Sequence, residues 1–201
     1  MMDEQIERLA KLFSKFPGIG DRQAKRFAYF ILTQPEYYVT NLSQSLVTAR
    51  AQAHTCNRCL RIYEGAPGVC FICGDSSRDQ HTIAVVEKSQ DIDAFNRTDY
   101  HGLFFVLGGL IPIVQKNIVS GTNASLLVDR VKKESSNPTE LILAFPLTPN
   151  GEHTDQAVRE LLAPVATDSI TITSLGRGLS TGAELEYADA ASLSASLKKR
   201  E

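Results

Sequence analysis

Four cysteines, the only ones in the chain, fall within eighteen consecutive residues: Cys56-Asn57-Arg58-Cys59, a gap of ten residues, then Cys70-Phe71-Ile72-Cys73. Each pair, folded as a tight knuckle, aims two thiolates at one centre, and two knuckles supply the tetrahedral set that zinc favours. Gly65, Pro67 and Gly68 let the connection reverse, and Gly74 is placed to close the second knuckle. Disulfides, a redox dithiol or buried free thiols are the competing readings. Disulfides need an oxidising compartment, yet no charged stretch followed by an apolar one stands over residues 1–15. A redox dithiol needs only one such pair, beside a βαβ unit. Four sulfurs leave no coordination position for a substrate water, so the expectation is one structural zinc ion per chain, holding together a small module over residues 55–76. His54 is read as a surface residue rather than a further ligand.

The chain has 201 residues and 43% hydrophobic content, enough to bury a sizeable core. Its longest apolar run, residues 102–114, is too short to span a bilayer, so the cytoplasm is the expected location. The formal charge of -2 is unevenly spread. Residues 1–62 carry nine Lys and Arg against five Asp and Glu, whereas the remainder carries twelve against eighteen. A basic first part suits an anion-binding face at one end.

Before the cysteines, Ile6, Leu9, Phe13 and Phe16 recur at helical spacing, and Pro17-Gly18-Ile19-Gly20 stops the pattern. A second helix follows, with Ala24, Phe27, Ala28 and Ile31 on one face and Arg22, Lys25 and Arg26 clustered at its start. Gly18 and Gly20 leave the hairpin backbone uncovered, so its N–H groups and the positive end of the second helix can meet a phosphate directly. An ordinary αα-hairpin is the alternative. The run from Phe16 to Arg26 resembles the helix-hairpin-helix motif of sequence-indifferent DNA binders. Asn41 and Gln44 offer a capping box for a third helix, with Leu42, Leu46 and Ala49 along one side.

After the cysteines, four apolar segments read as strands: residues 82–86, 103–107, 141–145 and 169–175. A short helical stretch over 91–95 and a helix over 154–162 lie among them, and 108–133 reads as a loop carrying a helix. Continuous apolar strands alternating with helices predict a parallel sheet covered on both faces. Glu87 stands at one carboxyl end, and the loop 148–152 with Glu152 is expected at another. Acids so placed could hold magnesium, as in topoisomerase and primase catalytic (Toprim) domains. Those enzymes carry Asp-x-Asp after the strand that corresponds to 141–145, where this chain has Phe145-Pro146-Leu147. Glu87, Asp91 and Glu152 are therefore read as a solvated rim, or as a weak metal or partner site. The tail opens on Gly176, Gly178 and Gly182, but no Lys-Ser or Lys-Thr follows, as a phosphate loop would require. It reads as a connector to a strand around 185–187 and a helix over 190–199.

In this order, the modules resemble the bacterial RecR family of recombination mediators. The resemblance rests on residues 16–26, the four cysteines, residues 83–87 with Asp91, Asn150-Gly151-Glu152, and residues 176–187. It implies a multi-module α/β chain: a helix-hairpin-helix domain (1–54), a four-cysteine zinc module (55–76), a Toprim-like domain (80–175) and a Walker B-like, oligomerising tail (176–201). It further implies DNA binding through Gly18, Gly20, Arg22, Lys25 and Arg26, and a homo-dimer or homo-tetramer able to encircle DNA. RecO-like and RecF-like partners are implied too, in loading recombinase onto SSB-coated single strands, within the bacterial cytoplasm at the nucleoid. The chain departs from the family pattern where Asp21 replaces a usual proline, Arg22 a lysine and Asn150 a glutamate, in a longer stretch between the cysteine pairs, and along residues 110–119. The expectation is a non-enzymatic DNA-binding scaffold; the alternative is a magnesium-dependent nuclease, primase or topoisomerase.

Overall fold

The computed structural model describes residues 4–114, 121–133, 140–166 and 170–176, with the isolated positions 186, 192 and 196. The chain divides into two compact units, Met1–Ala53 and His54–Glu201.

The first unit is helical: α1 (Glu4–Phe13), α2 (Asp21–Leu32) and α3 (Glu36–Gln52). Small residues let α1 and α2 approach closely, since Ala10, Ala24 and Ala28 are all buried. Phe13 then fills the seam edge-on to Phe16 and Phe27, at centroid distances of 5.8 and 5.9 Å. The third helix corrects one expectation. It starts at Glu36, behind Pro35, so Asn41 lies inside it and caps nothing. Proline has no N–H to leave unsatisfied and restrains the residue before it from helical geometry, which makes Pro35 the stronger boundary. No residue of α3 is buried.

The second unit opens with a two-stranded ribbon, β1 (Ala53–Thr55) and β2 (Ile62–Glu64), followed by the single turn α4 (Phe71–Gly74). The main sheet then comprises β3 (Thr82–Val86), β4 (Leu103–Val106), β5 (Glu140–Ala144) and β6 (Thr171–Ser174), in the order β4-β3-β5-β6 and parallel throughout. In register, Val85 faces Phe105 on one side and Leu143 on the other. Alternation sends Ile83, Val85, Leu103, Phe105, Leu141 and Leu143 to one face, beneath α6 (Ala124–Lys133) and α7 (Pro149–Leu162). Ala84, Val86, Phe104 and Val106 go to the other, where Cys56, Cys59, Cys70 and Cys73 share their core with Ile92 of α5 (Ile92–Phe95). The cysteine module thus occupies the place a covering helix would take on an open parallel sheet.

Helix α7 begins five residues before the predicted start at 154. Thr148 is its N-cap, accepting a hydrogen bond from the Gly151 N–H at 3.2 Å, and Pro149 occupies the first turn. Proline is favoured there because its missing N–H is one the helix leaves unpaired anyway. Residues 148–152, expected as a loop, are therefore a cap and a helical turn. The expected strand 169–175 is observed as Thr171–Ser174. Of the expected tail strand and helix only positions 186, 192 and 196 are described, and Gly178 and Gly182 lie outside the described residues. No helix among the described residues is long and apolar enough to cross a membrane.

Candidate metal centre and nucleic-acid interface

The two cysteine pairs converge. All four side chains are buried, and their Sγ atoms lie within 4.8 Å of one another. Cys59 and Cys70 Sγ stand 3.6 Å apart. That is far beyond the ~2.05 Å of a disulfide, and close to the ~3.8 Å edge of a tetrahedron with metal–sulfur bonds of ~2.3 Å. The chain is thus positioned to bind a metal ion through four sulfurs.

Local backbone geometry explains the convergence. In the first knuckle the Leu60 N–H donates to the Cys56 carbonyl at 3.0 Å, and Leu60 takes a left-handed conformation with φ +63°. Glycine is the usual residue there; Leu60 is kept instead, packing against both sheet cores. Gly74, expected to close the second knuckle, ends α4 and donates its N–H to the Cys70 carbonyl at 2.9 Å, without a positive φ. The left-handed residue is hidden in the sequence because nothing in a leucine advertises it. Between the pairs, Gly65 and Gly68 do adopt positive φ, +145° and +128°.

Electrostatics differ among the sulfurs. Burial pushes the Cys56 thiol up, but N–H groups of Cys70, Cys59 and Arg58 aimed at its sulfur outweigh this and bring it down to about 6. The Arg58 and Cys70 N–H groups lie 3.4 and 3.3 Å from it. The Cys59 thiol is held above its ordinary value by its hydrogen bond to Cys73 and by burial, and burial pushes Cys70 up to about 11. Such a cluster holds protons that a metal ion would displace.

The knuckle is also tied to the sheet. Val106 of edge strand β4 donates its N–H to the Cys59 carbonyl at 2.8 Å. From α6, the buried Arg130 donates Nη1 to the carbonyls of Arg58 (3.2 Å) and Phe104 (2.9 Å). Sequence reasoning passed over Arg130, because a lone arginine on an amphipathic helix carries no sign of burial.

In the first unit, Gly18 has φ +76°, and the Ile19 N–H donates to the Phe16 carbonyl at 3.1 Å, closing the hairpin turn. Gly20 then caps α2 without any side-chain hydrogen bond, leaving the positive end of that helix uncovered. The space a side chain would fill at either glycine is open. Arg22 and Arg26 are exposed nearby, Arg26 touching Gln23 at 3.4 Å. Lys25 points its ammonium at Glu7 of α1, 2.9 Å away.

The three acids do not form a comparable group. Glu87 pairs with Lys88 Nζ at 2.8 Å, Asp91 accepts the Lys88 N–H at 2.8 Å, and Glu152 lies in the first turn of α7. Among the described residues, the cysteines alone form a cluster of three or more potential metal ligands.

Matches to known proteins agree with this architecture. Residues 6–50 match the family model described as RecR, helix-hairpin-helix, and residues 178–201 match RecR, C-terminal. The recombination protein RecR of Limosilactobacillus reuteri is 38% identical over 187 residues, spanning 92% of this chain and 90% of its own length. The chain belongs to the RecR family. Other RecR proteins extend the match: that of Latilactobacillus sakei is 35% identical over 98% of this chain and 97% of its own, and that of Lacticaseibacillus casei 36% over 98% and 96%.

Proposed function

We propose that the chain is a DNA-binding recombination mediator without catalytic activity, acting with RecO and RecF to load recombinase onto SSB-coated single strands at the bacterial nucleoid. The observation that carries this is the hairpin: a left-handed Gly18 leads into a helix whose N-terminus no side chain caps, with Arg22 and Arg26 exposed beside it. Backbone N–H groups and two guanidinium groups suit phosphates and read no base. Gly18 and Gly20 allow the close approach, whereas Lys25 contributes through its brace to Glu7. The four cysteines hold one zinc ion, which completes the fold and takes part in no reaction.

Glu87, Asp91 and Glu152 serve partner contact rather than phosphoryl transfer, in keeping with Phe145-Pro146-Leu147 where Toprim enzymes carry Asp-x-Asp. The working form is a homo-dimer or homo-tetramer, in which several hairpins add modest affinities on one DNA. Titrating fluorescent DNA at rising salt tests the reading. Affinity should fall steeply with salt for every sequence, and Arg22→Ala with Arg26→Ala should weaken all sequences alike and flatten that slope. Magnesium-dependent cleavage or synthesis lost in Glu87→Gln would instead establish the enzyme.

A further inference from the structure

A cleft of about 560 Å³ opens in the second unit where β3 and β4 end, lined among others by Arg61, Ile62, Lys88, Gln90, Asp93 and Asn123. Ligands of parallel sheets gather at this end of the strands. Arg61 is unusual among the arginines of this unit that are not exposed. Arg58 donates to the Cys73 carbonyl and Gln80, Arg78 to the Gly102 carbonyl, Arg130 to the Phe104 carbonyl and Arg159 to Asp155. The Arg61 guanidinium has no acceptor among the described residues: its Nε is buried without a hydrogen-bond partner, and its head lies over the Phe71 ring, 4.9 Å from the centroid. A half-buried cation in that state gains strongly from an anionic oxygen. Lys88, by contrast, is already paired with Glu87, and Asp93 is the opposing acid of the cleft.

Beside this cation the surface is apolar and open. Phe71 is 71% exposed and Ile62 62%, whereas Phe104 and Phe105 of the same unit are buried. An exposed ring backed by an arginine is a stacking platform, and base faces are free to use one only in unpaired strands. We infer that the cleft is a single-stranded nucleic-acid subsite, with a backbone phosphate on the Arg61 guanidinium and an adjacent base stacked on Phe71. This rests on the DNA-binding reading above and deepens it, since the hairpin takes any DNA backbone while the cleft favours an unpaired strand. An acidic peptide would satisfy Arg61 equally well but would leave the exposed ring without a role.

The test uses the full, zinc-loaded chain, with metal content measured for each variant as a check on folding. Binding of single-stranded and duplex oligonucleotides of equal length is compared for Arg61→Gln, Phe71→Ala and Phe71→Trp. Arg61→Gln and Phe71→Ala should weaken single-strand binding about tenfold and leave duplex binding unchanged, while Phe71→Trp should retain it. Photo-cross-linking of a 5-iodouracil oligonucleotide should label the tryptic peptide that contains Phe71. Variants that bind both DNA forms like the unaltered chain overturn this inference alone, as does equal loss on both forms. Arg61-dependent binding of polyglutamate with DNA binding unaffected overturns it in favour of an acidic peptide. An unaltered chain that binds no DNA overturns the mediator reading as well.

Discussion

Gly151 sits buried at the start of α7, where a Cβ would collide with the carbonyl oxygen of Pro146. Backbone cannot swing aside as a flexible side chain does. Gly151→Ala should therefore destabilise the chain by about 2 kcal/mol, read as a lower urea midpoint with the slope unchanged. Arg130 presents the converse case, a charged side chain that the interior needs. Arg130→Met keeps most of its apolar stem but leaves the Arg58 and Phe104 carbonyls without this donor. A loss of roughly 1–3 kcal/mol is expected by the same denaturation measurement. Neither role is apparent at this scale in the sequence. A glycine does not declare which carbonyl presses against it, and an arginine on a helix is ordinarily solvated.

At the scale of elements, legibility follows how local the cause is. Strand β3 falls where residues 82–86 predict it, because both of its faces are buried and the apolar run is unbroken up to Glu87. The hairpin is legible for a similar reason, since Gly18 at φ +76° reflects a purely local need. Two helices start elsewhere than predicted, in places where competing signals stand close together. Asn41 and Gln44 imitate a cap, but Pro35 has already begun α3, and Pro149 reads as a loop residue although it opens α7. The knuckles are legible as a ligand set, but the docking of their backbone on β4 is not, because it depends on a strand far along the chain. Metal removal should expose that docking. Chelation should release hydrogen-exchange protection at the Val106 amide, which is held by the Cys59 carbonyl, well before it does so at Val158 on the opposite face. Equal loss at both sites would mean that the metal supports the whole unit rather than one edge.

For the whole molecule, the most telling feature is a helix that buries nothing. Along α3, Tyr37, Leu46 and Val47 are 70, 62 and 71% exposed, and on α2 Tyr29 and Leu32 are 57 and 56% exposed. Apolar side chains left open in this number are available for contact with another chain, in keeping with the proposed assembly into dimers or tetramers. Leu46→Lys with Val47→Lys should lower the mass measured by light scattering to that of a smaller assembly while helix content persists. An unchanged mass would remove these residues from the contact.

The cysteine module shapes how the chain comes into being as well as how it stands. Its four ligands are complete once residue 73 has been synthesised, before any strand of the main sheet. Chains emerge from the ribosome in order and fold by units. The ligand loop closes within eighteen residues, a short search compared with the parallel pairing of β3 with β5, which awaits residue 144. A metal-loaded knuckle pair is thus available as a ready-made wall against which β3 and then β4 can collapse as they appear, with α6, β5, α7 and β6 joining afterwards.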